Sequence, residues 1–259
     1  PHPSLLEAWD LADSAAGLRD FALRTVDAVG GRVGAVKPQS AFFERHGSAG
    51  IAVLEETLAA LRDVGTLSVL DVKRGDIGST MAGYAQAYLS DGAPLAADSI
   101  TVSPYLGYGS LSPALDLAEA SGRGVFVLAL TSNPEGAAVQ HAVNGEQAVA
   151  AGVVEGVTAS NATASGEGRL GSVGLVVGAT VGEAVSRLGI DLLRANGPLL
   201  APGIGAQGAG PAELESVFGS ARRHVLASTS RGVLKAGPSI EALRTAALAA
   251  THEAAAALR

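Results

Sequence analysis

No cysteine occurs among the 259 residues. Disulfides, thiolate metal sites and cysteine nucleophiles are therefore excluded from the chemistry of this chain. Aromatic residues make up only 4%. Trp9, Tyr84, Tyr88, Tyr105 and Tyr108 form no stripe interleaved with basic residues, the pattern that stacks single-stranded nucleic acid. Positive charge is also short. The 18 Lys and Arg stand against 25 Asp and Glu, for a net charge of -7 and a pI near 5.2, so no phosphate-tracking surface and no nucleic-acid partner are expected. A few cations gathered in one cleft can still hold a small anion. His2, His46, His141, His224 and His252 show no metal-ligand spacing. No apolar run approaches the roughly 18 to 20 residues that span a bilayer. The opening PHPSLLEAWD has neither a basic start nor an apolar signal core. The expectation is a cytoplasmic protein with no membrane partner.

What is present is apolar: 47% of residues fall in the hydrophobic set and 17% are charged, enough to bury a large core. Short runs rich in Val, Leu and Ile recur as VGAVKP from Val33, TLSVLDVK from Thr66, AADSITVS from Ala96, GVFVLALTS from Gly124, SVGLVVGAT from Ser172, PLLAPG from Pro198 and HVLAS from His224. They read as seven strands. Between them lie helix-length stretches such as IAVLEETLAALRDV, TMAGYAQAYL, LSPALDLAEA and EQAVAAGVVEGVTASNA, with SLLEAWDLADSAAGLRDFALRTVDAV ahead of the first strand and IEALRTAALAATHEAAAAL at the end. Such alternation implies parallel βαβ units, and the length favours a closed barrel over a doubly wound sheet. Residues 1–259 are read as a single (β/α)8 TIM-barrel domain. Seven candidates leave that barrel one strand short, and the first strand is expected to be absent from this sequence, which opens on Pro1.

In LSVLDVK, side-chain alternation sends Leu67, Val69, Asp71 and Lys73 to one face, with Ser68, Leu70 and Val72 on the other. Two opposite charges at the end of a buried face must be paired, because desolvating either alone is costly. Lys37 follows the apolar run VGAV and lies at the same end of the neighbouring strand. Parallel barrels carry their chemistry at the C-terminal ends of strands. The pattern by itself leaves two readings open, a catalytic cluster or a structural ion-pair cluster closing the barrel top.

The segment DVKRGDIGST from Asp71 to Thr80 resembles the Asp-x-Lys-x-x-Asp-Ile-x-x-Thr signature of the orotidine 5'-phosphate decarboxylase family, in its longer bacterial subgroup. VKPQSAFFE from Val36, SPYLGYGSL from Ser103, TSNPEGAAVQ from Thr131 and PGIGAQG from Pro202 are similar to that family's later strand ends, in order. The resemblance implies decarboxylation of orotidine 5'-phosphate to uridine 5'-phosphate and CO2, with no metal or organic cofactor. It also implies a homodimer with shared active sites. By the same resemblance, Lys73 protonates C6 of the pyrimidine, and Asp71 lies near the substrate carboxylate in an alternating network with Lys37 and Lys73. Asp76, Ile77 and Thr80 reach into the partner's site, Asp76 joining its network and Thr80 its ribose. Ser132 matches a serine that contacts the pyrimidine edge, although as a residue it is equally a turn former before Asn-Pro. The family's first strand ends in an Asp that contacts ribose; that residue has no counterpart here.

Gly203, Gly205 and Gly208 spell G-x-G-x-x-G between a strand and a helix. A dinucleotide fold would want an acidic residue about 20 positions later. HVLASTSRG offers none, and too few βαβ units remain. In a barrel, the loops after the last two strands form a phosphate site from backbone N–H groups. Arg231 follows the final strand and supplies bidentate charge; its other reading is a surface arginine. In the family, the residues matching Gln207 and Arg231 hold the 5'-phosphate.

Three rivals follow from the same residues. A related barrel family acts on keto-sugar phosphates or condenses formaldehyde with ribulose phosphate, but binds magnesium through an acid where this chain has Lys37. A Schiff-base aldolase would use Lys37 or Lys73 as a neutral amine, whereas Asp71 and Asp76 favour the ammonium. The third is a non-catalytic barrel that binds a phosphate ligand.

Overall fold

The apolar runs form seven parallel strands, six inside their expected segments and β2 running one residue past its own: β1 (Ala35–Val36), β2 (Leu67–Arg74), β3 (Ser99–Val102), β4 (Gly124–Leu130), β5 (Val173–Val177), β6 (Leu199–Pro202) and β7 (Val225–Ser228). They come from a computed structural model that describes residues 1–204 and 210–258. The strands follow one another in chain order across one sheet, and every neighbouring pair is parallel. Among the described residues, β1 and β7 are its edges.

Alternation along the strands sorts side chains into two compartments. Val69, Phe126, Val176 and Leu200 meet inside the curl with Ala35, Leu128 and Leu226. Leu70, Val72, Ile100, Val102, Val125, Val127, Leu175 and Val177 point outward, into the larger core beneath the helices. Both faces are covered, as the uniformly apolar strand sequences require.

The ring of helices closes where the sheet does not. Helix Ala15–Val29 packs on helix Gly47–Asp63 and on the final helix, Ile240–Ala257. A third cluster holds this junction, with Trp9, Phe21, Val29, Val233, Leu243 and Ala247. Trp9 lies 4.2 Å from the Phe21 ring centroid and donates its Nε1–H to Leu234 O at 3.0 Å.

Two helical expectations are corrected in detail. The stretch from Ser4 to Val29 breaks into Pro3–Ala8 and Ala15–Val29. Asp10 takes φ +54°, and Ser14 caps the second helix by accepting the Gly17 N–H. Gln147 and Ala148 do not begin the helix expected from Glu146. They pair antiparallel with Val143–Asn144 in a small ribbon, and the helix runs Val149–Ser160. Among the described residues, no helix is long and apolar enough to cross a membrane.

Candidate active site

The site is built around one buried carboxylate. Asp71 is 6% exposed in the C-terminal half of β2, one alternation above Val69 on the inner face. Its Oδ2 accepts from Lys37 Nζ at 2.9 Å and from Gln39 Nε2 at 3.2 Å. Its Oδ1 accepts from Lys73 Nζ at 2.5 Å and from Thr101 Oγ1 at 2.8 Å. A carboxylate offers about four lone-pair positions, and donors from three successive strand ends fill them. Burial by itself would raise the Asp71 pKa, but Lys37 and Lys73 outweigh it and hold the carboxyl below its ordinary range.

Backbone pairing delivers these groups. β1 is short, yet its chain stays docked beyond Val36: Asp71 N–H donates to Pro38 O at 2.9 Å and Ser40 N–H to Asp71 O at 3.2 Å. This sets Lys37 and Gln39, two residues apart, on the same inward face. β2 then bulges against β3, advancing from Leu70 to Arg74 while β3 advances only from Ile100 to Val102. Within the bulge Lys73 takes φ +44°, a left-handed conformation that costs a non-glycine residue about 1–3 kcal/mol. Its N–H donates to Thr101 Oγ1 at 3.0 Å. Gly75 follows, where any Cβ would come within 2.3 Å of the Ser103 carbonyl oxygen. The tight crossing therefore requires glycine.

Arg74 is held fast. Its guanidinium donates to Glu44 Oε1 at 2.6 Å and lies 5.6 Å and 6.0 Å from the ring centroids of Tyr84 and Tyr88. Ser40 Oγ donates to the same Glu44 oxygen at 2.6 Å. These contacts pin the residue that follows Lys73. The spacing of Tyr84 and Tyr88 hints at a shared helix face, but nothing in the sequence pairs that face with Arg74.

The remaining predicted residues divide into two groups. Asp76 stands outside this cluster, with Oδ1 accepting the Ile77 N–H at 2.8 Å. Ile77 is 62% exposed, and Thr80 is exposed in the first turn of helix Gly78–Leu89. Ser132 lies just beyond β4, its Oγ 2.8 Å from where a Cβ on Gly178 would stand, so a glycine after β5 leaves that hydroxyl room. Gly203 ends β6 with φ +97°, and Arg231 opens the short helix after β7, exposed. Gly205, Gln207 and Gly208 lie outside the described residues. Gln39 and Thr101 are the two Asp71 partners that the sequence reading missed. The alternation from Lys37 to Gln39 was the available signal for the first; Thr101 shares β3 with Ser99 and had none.

Two ammoniums against one carboxylate leave the cluster with net positive charge. A parallel α/β barrel with a fixed, half-exposed ammonium at its strand ends defines an enzyme site for an anionic substrate, able to stabilise developing negative charge and to supply a proton.

Comparison with known proteins gives that class its family. The sequence model of the orotidine 5'-phosphate decarboxylase / HUMPS family matches residues 5–246. A Streptomyces coelicolor orotidine 5'-phosphate decarboxylase is 59% identical over 249 residues, covering 95% of this chain and 87% of that protein. The structure of a candidate orotidine 5'-phosphate decarboxylase from Streptomyces avermitilis superposes with a TM-score of 0.94 at 58% identity, covering 100% of this chain and 88% of the other. That of Leishmania donovani OMP decarboxylase gives a TM-score of 0.75 at 32% identity, covering 95% and 90%. The chain belongs to the orotidine 5'-phosphate decarboxylase / HUMPS family.

Proposed function

We propose that this chain is a single-domain barrel that decarboxylates orotidine 5'-phosphate to uridine 5'-phosphate in the cytoplasm, without a metal or organic cofactor. The observation that carries the reading is the Lys37–Asp71–Lys73 arrangement in a chain 59% identical to a named orotidine 5'-phosphate decarboxylase. In the reaction, the bond between C6 and the carboxyl carbon breaks and CO2 departs. The electron pair left on C6 takes a proton from Lys73 Nζ, and the resulting amine recovers its proton from water. Loss of CO2 leaves poorly delocalised charge at C6, so an ammonium fixed beside that carbon serves as electrostatic stabiliser and as acid. Asp71, with its lone pairs already occupied, acts as the anchor that keeps both lysines aimed.

Arg231 and the glycine loop beginning at Gly203, with Gln207, hold the 5'-phosphate in this reading, and Ser132 meets the pyrimidine edge. Phosphate binding far from C6 contributes to lowering the chemical barrier. Asp76, Ile77 and Thr80 complete the site of a second copy. What supports the dimer is the exposed apolar surface beside β2 and β3, where Ile77, Tyr105 and Leu106 are 62%, 80% and 52% exposed.

The family also contains the magnesium-dependent barrels, so membership alone does not separate the two reactions. Lys37 favours decarboxylation of the nucleotide. Its Nζ is bound to Asp71 Oδ2 at 2.9 Å, and an ammonium there opposes a divalent cation at the same carboxylate. Turnover of orotidine 5'-phosphate in excess chelator, with ribulose 5-phosphate and formaldehyde unreactive, is the expected outcome. Chelator-sensitive condensation of the latter pair overturns the reading.

A further inference from the structure

Thr101 sits in the middle of the cluster, 1% exposed, on the inner face of β3. Its hydroxyl makes two bonds that differ in kind. It accepts the Lys73 backbone N–H at 3.0 Å and donates to Asp71 Oδ1 at 2.8 Å. An N–H can only donate and a carboxylate can only accept, so the single hydroxyl proton has one orientation that satisfies both. The same oxygen therefore touches the backbone of one end of the ion pair and the side chain of the other.

We propose that Thr101 is a positioning residue for proton transfer: its hydroxyl locks the bulged backbone of Lys73 to the carboxylate that aims the Lys73 ammonium. This rests on the reading of Lys73 as the proton donor. Three observations support it. Lys73 is one of three described non-glycine residues at positive φ, with Asp10 and Asn196, so its backbone needs an external hold. The register of β2 on β3 slips across this very residue, where the N–H meets the Thr101 side chain. Lys73 is also the more loosely covered lysine, its side chain 46% exposed against 21% for Lys37, so fewer packing contacts fix its direction. The hydroxyl acts on the geometry of Nζ, its bonds running to the Lys73 backbone and the Asp71 carboxylate. Its loss should lower turnover and leave substrate binding in place.

Thr101→Val keeps the shape and removes both bonds, whereas Thr101→Ser keeps the hydroxyl. Steady-state kinetics on orotidine 5'-phosphate, uridine 5'-phosphate affinity and thermal unfolding are measured for the full chain and both variants. The valine variant should lose about ten- to hundred-fold in kcat, the scale expected when an acid is displaced by a fraction of an ångström to an ångström. Its KM and product affinity should stay within about three-fold of the parent, and the serine variant should recover kcat to within about three-fold. Equal turnover by the valine variant overturns the proposal, as does a loss that falls on KM or one that serine shares. If the valine variant does not fold, Thr101→Cys, a weaker donor and acceptor, should give an intermediate kcat; parental turnover there overturns it equally. The two readings fail separately. An inactive parent chain removes the decarboxylase assignment, whereas an active parent, an inactive Lys73→Ala and a fully active Thr101→Val remove only the role of Thr101.

Discussion

Lys73 Nζ and Asp71 Oδ1 lie 2.5 Å apart at the end of one strand, the lysine in a left-handed bulge and the aspartate in regular extended pairing. Residues two apart on a flat strand stand roughly 7 Å apart. The bulge and the flexible lysine stem close that distance. The pair is thus one structural unit, and its parts are expected to fail together.

Asp71→Asn keeps the shape of the anchor and removes its charge, leaving Lys37 and Lys73 without the carboxylate that both bind. Turnover should fall by at least about a hundred-fold. The stability effect has a defined pH dependence. The folded carboxyl titrates below its ordinary value of 3.8 because Lys37 and Lys73 outweigh burial, so its contribution is complete above 3.8 and is lost as pH falls through the lower folded value. Urea unfolding of parent and Asp71→Asn should differ at neutral pH and converge only on acidification below that value. Convergence near neutrality contradicts the account.

Arg74→Met retains the stem and removes the contacts to Glu44, Tyr84 and Tyr88. The ion pair is partly exposed, at 29% and 36% for the two side chains, so the loss should be modest, about 1–2 kcal/mol. Urea unfolding checks this. A variant as stable as the parent contradicts a stabilising role for these contacts.

Strand identity was legible because apolar runs bounded by turn residues carry their own signal, and all seven fall where the sequence puts them. The alternation in LSVLDVK also correctly sends Val69 inward and Leu70 and Val72 outward. The bulge was not legible. A period-two pattern assigns Lys73 to a face but contains nothing about φ at a lysine or about the register slip of β2 on β3. The holding of Arg74 was illegible for a related reason, since its partner Glu44 lies 30 positions away and no local pattern couples them. Thr101 and Gln39 are ordinary strand-end polar residues until Asp71 is seen to need four donors. The broken helix near Asp10 turns on one positive φ and one serine cap, which periodicity does not register.

If each site is shared, Lys73→Ala and Asp76→Ala should each be inactive alone and regain activity on mixing. A hybrid dimer carries one site with both defects and one with neither, so equal mixing should restore roughly a quarter of parental activity after exchange. A mixture that stays inactive while hybrids form shows that both residues serve the same chain.

Arg231→Ala should lower kcat/KM for orotidine 5'-phosphate by about a hundred-fold or more. Arg231→Lys should recover it only in part, because a point charge cannot reproduce a planar fork. Both variants should fold like the parent, as expected for an exposed residue. Unchanged kcat/KM in Arg231→Ala would take the phosphate away from this strand end.

The central claim is that the Lys73 ammonium delivers the proton to C6. It is tested most directly by following the loss of orotidine 5'-phosphate absorbance with chelator present, for the parent chain and for Lys73→Ala at saturating substrate. The account predicts steady turnover by the parent and a loss of at least about a thousand-fold in the variant, with uridine 5'-phosphate still bound. Parental turnover in Lys73→Ala, or none in the parent, contradicts it.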